Sequence, residues 1–145
     1  MFKRYLSVGA ILFAVLASGC ASVPMASPEK DKAAKTFAVK PGKANIYVYR
    51  NEVFGAAIKM RVLLNDKEVG RTASKTYLLM EVDPGKHTLH SDTENASTLV
   101  VNTVAGRNYF VWQEVKMGGF TASSLLQLVD EAKGKAGVAE CSLIE

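Results

Sequence analysis

From Ala44 onward, apolar and polar residues alternate with a period of two, which sends successive side chains to opposite faces of a strand. Asn45-Ile46-Tyr47-Val48-Tyr49-Arg50 opens the pattern and is rich in the aromatic and β-branched residues that suit a pleated surface. Ile58, Met60, Val62 and Leu64 then form an inward row, with Lys59 and Arg61 directed outward. Asn65-Asp66-Lys67 predicts a polar turn and Glu68-Val69-Gly70-Arg71 the returning strand. Thr76–Val82 carries apolar residues on both faces, so burial on both sides is expected there. In Asp83-Pro84-Gly85-Lys86, Pro84 pre-sets the first corner of a type II turn and Gly85 accepts the positive φ of the second. His87–His90 resumes as a strand. Ser97–Val104 and Asn108–Val115 read as a pair joined through Ala105-Gly106-Arg107, and Ser123–Val129 as a further strand. Asp130–Lys135 reads as one helical turn or more, with Gly134 and Gly137 arguing against a long helix, and Val138–Ile144 as a terminal strand. Seven or eight short strands with turn signals between them, and no sustained amphipathic helix, predict an all-β fold: an antiparallel β-sandwich or a small barrel.

The first third of the chain follows other rules. Lys3 and Arg4 precede an apolar run from Leu6 to Ala17, and small residues lead into Cys20. That is the three-part layout of a secretory leader, and the run is too short for the roughly 20 residues that cross a bilayer. Leu16-Ala17-Ser18-Gly19-Cys20 resembles the lipobox of bacterial lipoproteins, with Ala17 standing where that pattern most often has Leu. The resemblance implies cleavage between Gly19 and Cys20 and a covalent lipid on Cys20, with no other cofactor. Ala21, rather than Asp, resembles the sorting signal of outer-membrane lipoproteins, which implies a protein anchored there and facing the periplasm. Ala21 to Gly42, with Pro24, Pro28 and Pro41 and few large side chains, reads as an extended tether, or as a spacer with a short helix over Glu29–Lys35. The expected organisation is a signal peptide over residues 1–19, a lipid anchor and flexible tether over 20–43, and a β-sandwich over 44–145.

Charge and cysteine content change with that leader. The formal net charge is +4, and Lys3 and Arg4 contribute two of those charges, so the remaining domain lacks the basic footprint of a nucleic-acid binder. Of the two cysteines, a lipidated Cys20 cannot form a disulfide, which leaves Cys141 alone and expected to be buried.

The order of these motifs resembles an uncharacterised family of small bacterial lipoproteins, a domain of unknown function. The residues that carry it are Ile46-Tyr47-Val48-Tyr49-Arg50, the Pro84-Gly85-Lys86-His87 turn, Gly106-Arg107-Asn108-Tyr109-Phe110, and a Leu-rich strand ending in Val129-Asp130. The resemblance implies a β-sandwich and brings no catalytic residues.

Candidate chemistry is sparse. His87 and His90, three apart on a strand, point to opposite faces and cannot share a metal. No Gly-x-Ser-x-Gly elbow and no phosphate loop occurs. Aromatic residues supply the candidate binding surface. Tyr47 and Tyr49 share one strand face, Phe110 and Trp112 another, and Phe120 stands at the tip of a loop over Lys116–Thr121. The expected function is a non-enzymatic, lipid-anchored binding or structural module with an envelope protein or glycan as partner. A small-ligand binder with a cavity between the sheets and a hydrolase with a non-standard site are the alternatives.

Overall fold

The structure, a computed structural model, describes residues 22–93, 96–118 and 121–145. Its elements in chain order are α1 (Pro28–Ala34), β1 (Ala44–Arg50), β2 (Met60–Leu64), β3 (Lys67–Thr72), β4 (Thr76–Val82), β5 (Gly85–Asp92), β6 (Ser97–Thr103), β7 (Asn108–Gly118), β8 (Thr121–Val129), α2 (Glu131–Ala139) and β9 (Ser142–Leu143). Among the described residues, nine strands form two sheets, one ordered β8-β7-β1-β4-β9 and the other β3-β2-β5-β6. The β-sandwich therefore stands, but the larger sheet is mixed: β1 runs parallel to β7, and β4 parallel to β9.

Local chemistry accounts for the connections. Asn65 and Asp66 both have positive φ, 49° and 68°, which is the requirement of a two-residue hairpin of the type I′ kind between β2 and β3. Pro84-Gly85 joins strands of different sheets, so the turn carries the chain across the sandwich instead of closing a hairpin. His87 staples it. Asn65 Nδ2 donates to His87 Nδ1 at 2.9 Å, so the ring proton lies on Nε2, which donates to Asp83 O at 2.7 Å. The expected pairing of Ser97–Val104 with Asn108–Val115 does not form. β6 pairs with β5, and β7 pairs with β1 and β8, because the turn at Gly106 also crosses between sheets. The loop expected over Lys116–Thr121 is also shorter, since β7 and β8 stay paired to Gly118 and Thr121.

Two helices refine the expected picture, and α1 falls on the short helix offered over Glu29–Lys35. The segment read as a tether is packed against the domain from Val23 onward. Ser27 caps α1 by accepting from Lys30 N–H, and Pro28 occupies its first turn, where a missing N–H costs nothing. Asp31 then ties the helix to the sheet: its Oδ1 accepts from Tyr77 O–H at 2.8 Å and Leu143 N–H at 3.0 Å. Burial alone would raise the Asp31 pKa; those bonds, with the Lys35 ammonium 3.0 Å away, outweigh it and hold it low. Tyr47 O–H donates to Ala34 O at 2.8 Å, satisfying a carbonyl at the helix end. α2 continues past Lys135 to Ala139 and so replaces the start of the expected terminal strand, leaving only Ser142 and Leu143 in β9.

The result is three layers. Between the sheets lies an apolar cluster that includes Ile46, Val48, Val62, Met80, Leu89 and Val111. Outside the larger sheet, α1, α2 and Phe37 cover a second cluster built on Tyr47, Tyr49, Tyr77 and Phe110. Every residue of β1 is buried as a consequence.

Candidate functional site

The parallel register of β1 and β7 puts Tyr47 beside Phe110 and Tyr49 beside Trp112, so all four aromatics share the outer face of the larger sheet. They do not form an exposed platform there. Tyr47 is 0% and Tyr49 1% exposed, and Tyr47 stacks on Phe110 with ring centroids 5.1 Å apart. Phe37, reached through a left-handed backbone (φ 57°), packs edge-on against Tyr47 and Phe110. Tyr47 and Tyr49 are therefore core residues, and burial pushes both phenols up to about 12. Trp112 is half-buried, with Lys133 Nζ 4.8 Å from its ring centre. Gly19, Cys20 and Phe120 lie outside the described residues.

A second arrangement had no motif to announce it. At the C-terminal end of β1 the interior turns polar. Thr72 Oγ1 donates to Gln113 Oε1, Gln113 Nε2 donates to Ser91 Oγ at 2.6 Å, and Ser91 bonds Ser124. This row crosses between the sheets through β3, β7, β5 and β8. None of its members is a base that could take a proton from a serine, so the row links the sheets rather than activating a nucleophile.

Arg50 closes that end. It is fully buried, and its guanidinium donates to three backbone carbonyls: Ile58 O at 2.7 Å, Gly55 O at 3.2 Å and Thr72 O at 3.3 Å. Burial pulls its pKa down, and the Glu52 carboxylate opposes that. Burial in turn raises the Glu52 pKa, against the Val115 N–H that Glu52 Oε2 accepts. Arg50 Nε makes no hydrogen bond among the described residues, while the Trp112 indole N–H lies close enough to the Glu52 carboxylate to oppose the rise in its pKa, though without good hydrogen-bond geometry.

These bonds hold the connection from Asn51 to Lys59. Ser74 Oγ donates to Glu52 O at 2.5 Å, Asn51 Nδ2 donates to Glu140 Oε2 at 3.2 Å, and Ile58 N–H closes a turn on Gly55 O at 2.9 Å. Gly55 has φ 72° and lies so close to β7 that a Cβ would stand 2.8 Å from Val115 Cγ1. Pinned at both ends, the loop presents Val53 (69% exposed) and Phe54 (56% exposed) to solvent.

Residues 40–124 match the family described as a protein of unknown function, DUF2846. The chain belongs to the DUF2846 family. An uncharacterized protein of Haemophilus influenzae is 32% identical over 145 residues, covering 99% of this chain and 84% of its own length. No solved structure matches. The DUF2846 match spans β1 to the start of β8, so it contains Arg50, the pinned loop and all four members of the polar row, and leaves out α1 and α2.

Cys141 is buried beneath this end. Its Sγ contacts Arg50 O at 3.3 Å, and burial pushes its thiol up to about 12. The thiolate is the reactive form, so in a Cys20→Ser chain a disulfide reagent is expected to leave Cys141 unmodified until denaturant unfolds the protein. Rapid native labelling would show that the thiol is reached without unfolding. Among the described residues no three of His, Cys, Asp and Glu are grouped closely enough to hold a metal ion.

Proposed function

We propose that this protein is a lipid-anchored component of the bacterial cell envelope, attached through Cys20 at the outer membrane and facing the periplasm. There it acts as a non-enzymatic binding module for another envelope protein. The observation that carries the binding part is the Asn51–Lys59 loop. Adjacent large apolar side chains are costly to leave in water, and here a buried arginine and two further side-chain bonds hold the loop that bears them. A preorganised loop loses little entropy on binding, and a central apolar anchor is the usual source of interface energy. The anchoring part rests on Leu16 to Cys20.

A photoreactive residue placed at Phe54 in growing cells tests both parts. A discrete adduct is expected from Phe54, none from exposed Lys86 on the far turn, and a weakened one when Cys20→Ser removes the anchor. The same diffuse labelling from Phe54 and Lys86 would refute the docking role. Equal fatty-acid labelling of wild type and Cys20→Ser would refute the anchor.

A further inference from the structure

Val23–Ala26 is already part of the fold. Met25 forms an antiparallel bridge with Ile144, Ala26 N–H donates to Leu143 O at 3.0 Å, and Glu145 N–H donates to Pro24 O at 3.1 Å. Val23 packs against the apolar cluster between the sheets. It also lines a cleft with Lys59, Gly70, Arg71 and Ile144. β9 is the last strand of one sheet and β3 the last strand of the other. Gly70 approaches Leu78 across the gap on this side, which joins the two ends into one edge of the sandwich. The opposite edge is β8 with β6, linked by Leu126 N–H donating to Ser97 Oγ at 3.0 Å.

Cys20 precedes Val23 by three residues, and three residues of extended chain span at most about 10 Å. We infer that the β3–β9 edge is a membrane-facing surface whose occupant is the lipid bilayer, held there by the acyl chains on Cys20; this rests on the anchoring reading above. A lipid on Cys20 keeps its glycerol at the headgroup level, so the edge that holds Val23 has no length of chain with which to leave it. The β6–β8 edge, with exposed Val100 and Leu128, is then the one turned away from the bilayer. Charge does not supply the attachment. Around the cleft Lys59 and Arg71 face Glu68 and Glu145, and Arg71 Nε already pairs with Glu68 at 3.1 Å. The acyl chains must therefore dominate, at about 0.8 kcal/mol for each buried CH₂.

The test uses the chain from Cys20 onward, which retains every described element. It is coupled through the Cys20 thiol to a supported phosphatidylcholine bilayer carrying a maleimide lipid, and neutron reflectometry reads the gap between headgroups and protein. The expected gap is within about 10 Å, unchanged by high salt or anionic lipid. Inserting about twenty Gly-Ser residues after Cys20 is expected to widen it by about 25 Å. Hydrogen exchange on the bilayer-bound chain should find the Ala26 and Glu145 amides protected. A gap of tens of Å at native length, the same gap with the insertion, or free-chain exchange at those two amides would overturn the surface. Because the coupling is chemical, these readouts do not depend on acylation in cells. Absence of Cys20-dependent fatty-acid label in cells would overturn the anchoring reading and the proposal with it, whereas label present with a wide gap would overturn the surface alone.

Discussion

Arg50→Met is expected to destabilise the protein by about 2–4 kcal/mol, because a buried charged donor is removed from backbone carbonyls. The methionine stem fills most of the same space but donates nothing. Ile58 O and Thr72 O then lose this donor, while Gly55 O keeps the Ile58 N–H, and a carbonyl left without a partner costs about 1–3 kcal/mol. The guanidinium's own desolvation is recovered, which keeps the net below the sum of these losses. Against a total stability of about 5–15 kcal/mol, this brings the fold close to its limit. Urea unfolding is the measurement: with a slope of about 1–3 kcal/mol per molar, the midpoint should fall by about 2 M. Arg50→Lys separates hydrogen bonding from charge. An ammonium has three donors on a flexible stem, not a planar fork, so it keeps the charge but cannot span all three carbonyls. An intermediate midpoint is expected, with faster native-state proteolysis within Asn51–Lys59. A midpoint unchanged by either substitution would show that the loop holds itself without Arg50.

How much of this was legible in the sequence depended on which force shaped each element. Alternation located most of the strands because a half-buried strand must alternate, while β1, buried on both faces, was legible from its aromatic and β-branched content; the Asn65-Asp66 and Pro84-Gly85 corners were visible because few residues tolerate those backbone angles. Strand partners were not visible. Ser97–Val104 and Asn108–Val115 are adjacent in sequence, but the crossover at Gly106 sends them to different sheets. α1 was partly readable, since Ser27-Pro28-Glu29 is a cap, a first-turn proline and an acid in order; its small residues concealed that it packs. The aromatic rows of β1 and β7 were placed on strand faces correctly, yet which face was wet depended on α1 and α2, which no apolar stripe announced. Arg50 gave no signal at all: a charged residue at a strand end reads as solvated, and its burial follows from a loop that folds back over it.

The glycines of α2 were read with the wrong sign, and Gly134→Ala measures by how much. Helix propensity favours alanine over glycine by about 1 kcal/mol, which is why Gly134 and Gly137 argued against a long helix. The structure sets a larger opposing effect. A Cβ on Gly134 would stand 2.1 Å from Phe110 Cγ and 2.2 Å from Phe110 Cβ, and one on Gly137 would stand 2.2 Å from Tyr49 Cε2. Overpacking a filled site costs about 1–3 kcal/mol, occasionally more. The two sites differ in what can yield. Phe110 Cβ is fixed by the backbone of β7, a strand paired on both sides, so Gly134→Ala must push α2 off the sheet. At Gly137 the obstacle is the far edge of a tyrosine ring, which must swing by about 1 Å to clear the new Cβ but can do so without moving the strand backbone. Gly134→Ala is therefore expected to destabilise by about 2–3 kcal/mol net and Gly137→Ala by less. Exposed Ala136→Gly should cost only the propensity difference of about 1 kcal/mol. Adding Phe110→Ala to Gly134→Ala should restore little, because the Cβ contact survives the loss of the ring. Thermal and urea unfolding of the set decides it: a Gly134→Ala chain as stable as the parent would mean that α2 does not sit on the sheet at this distance, and the glycines would then be explained by nothing in the packing.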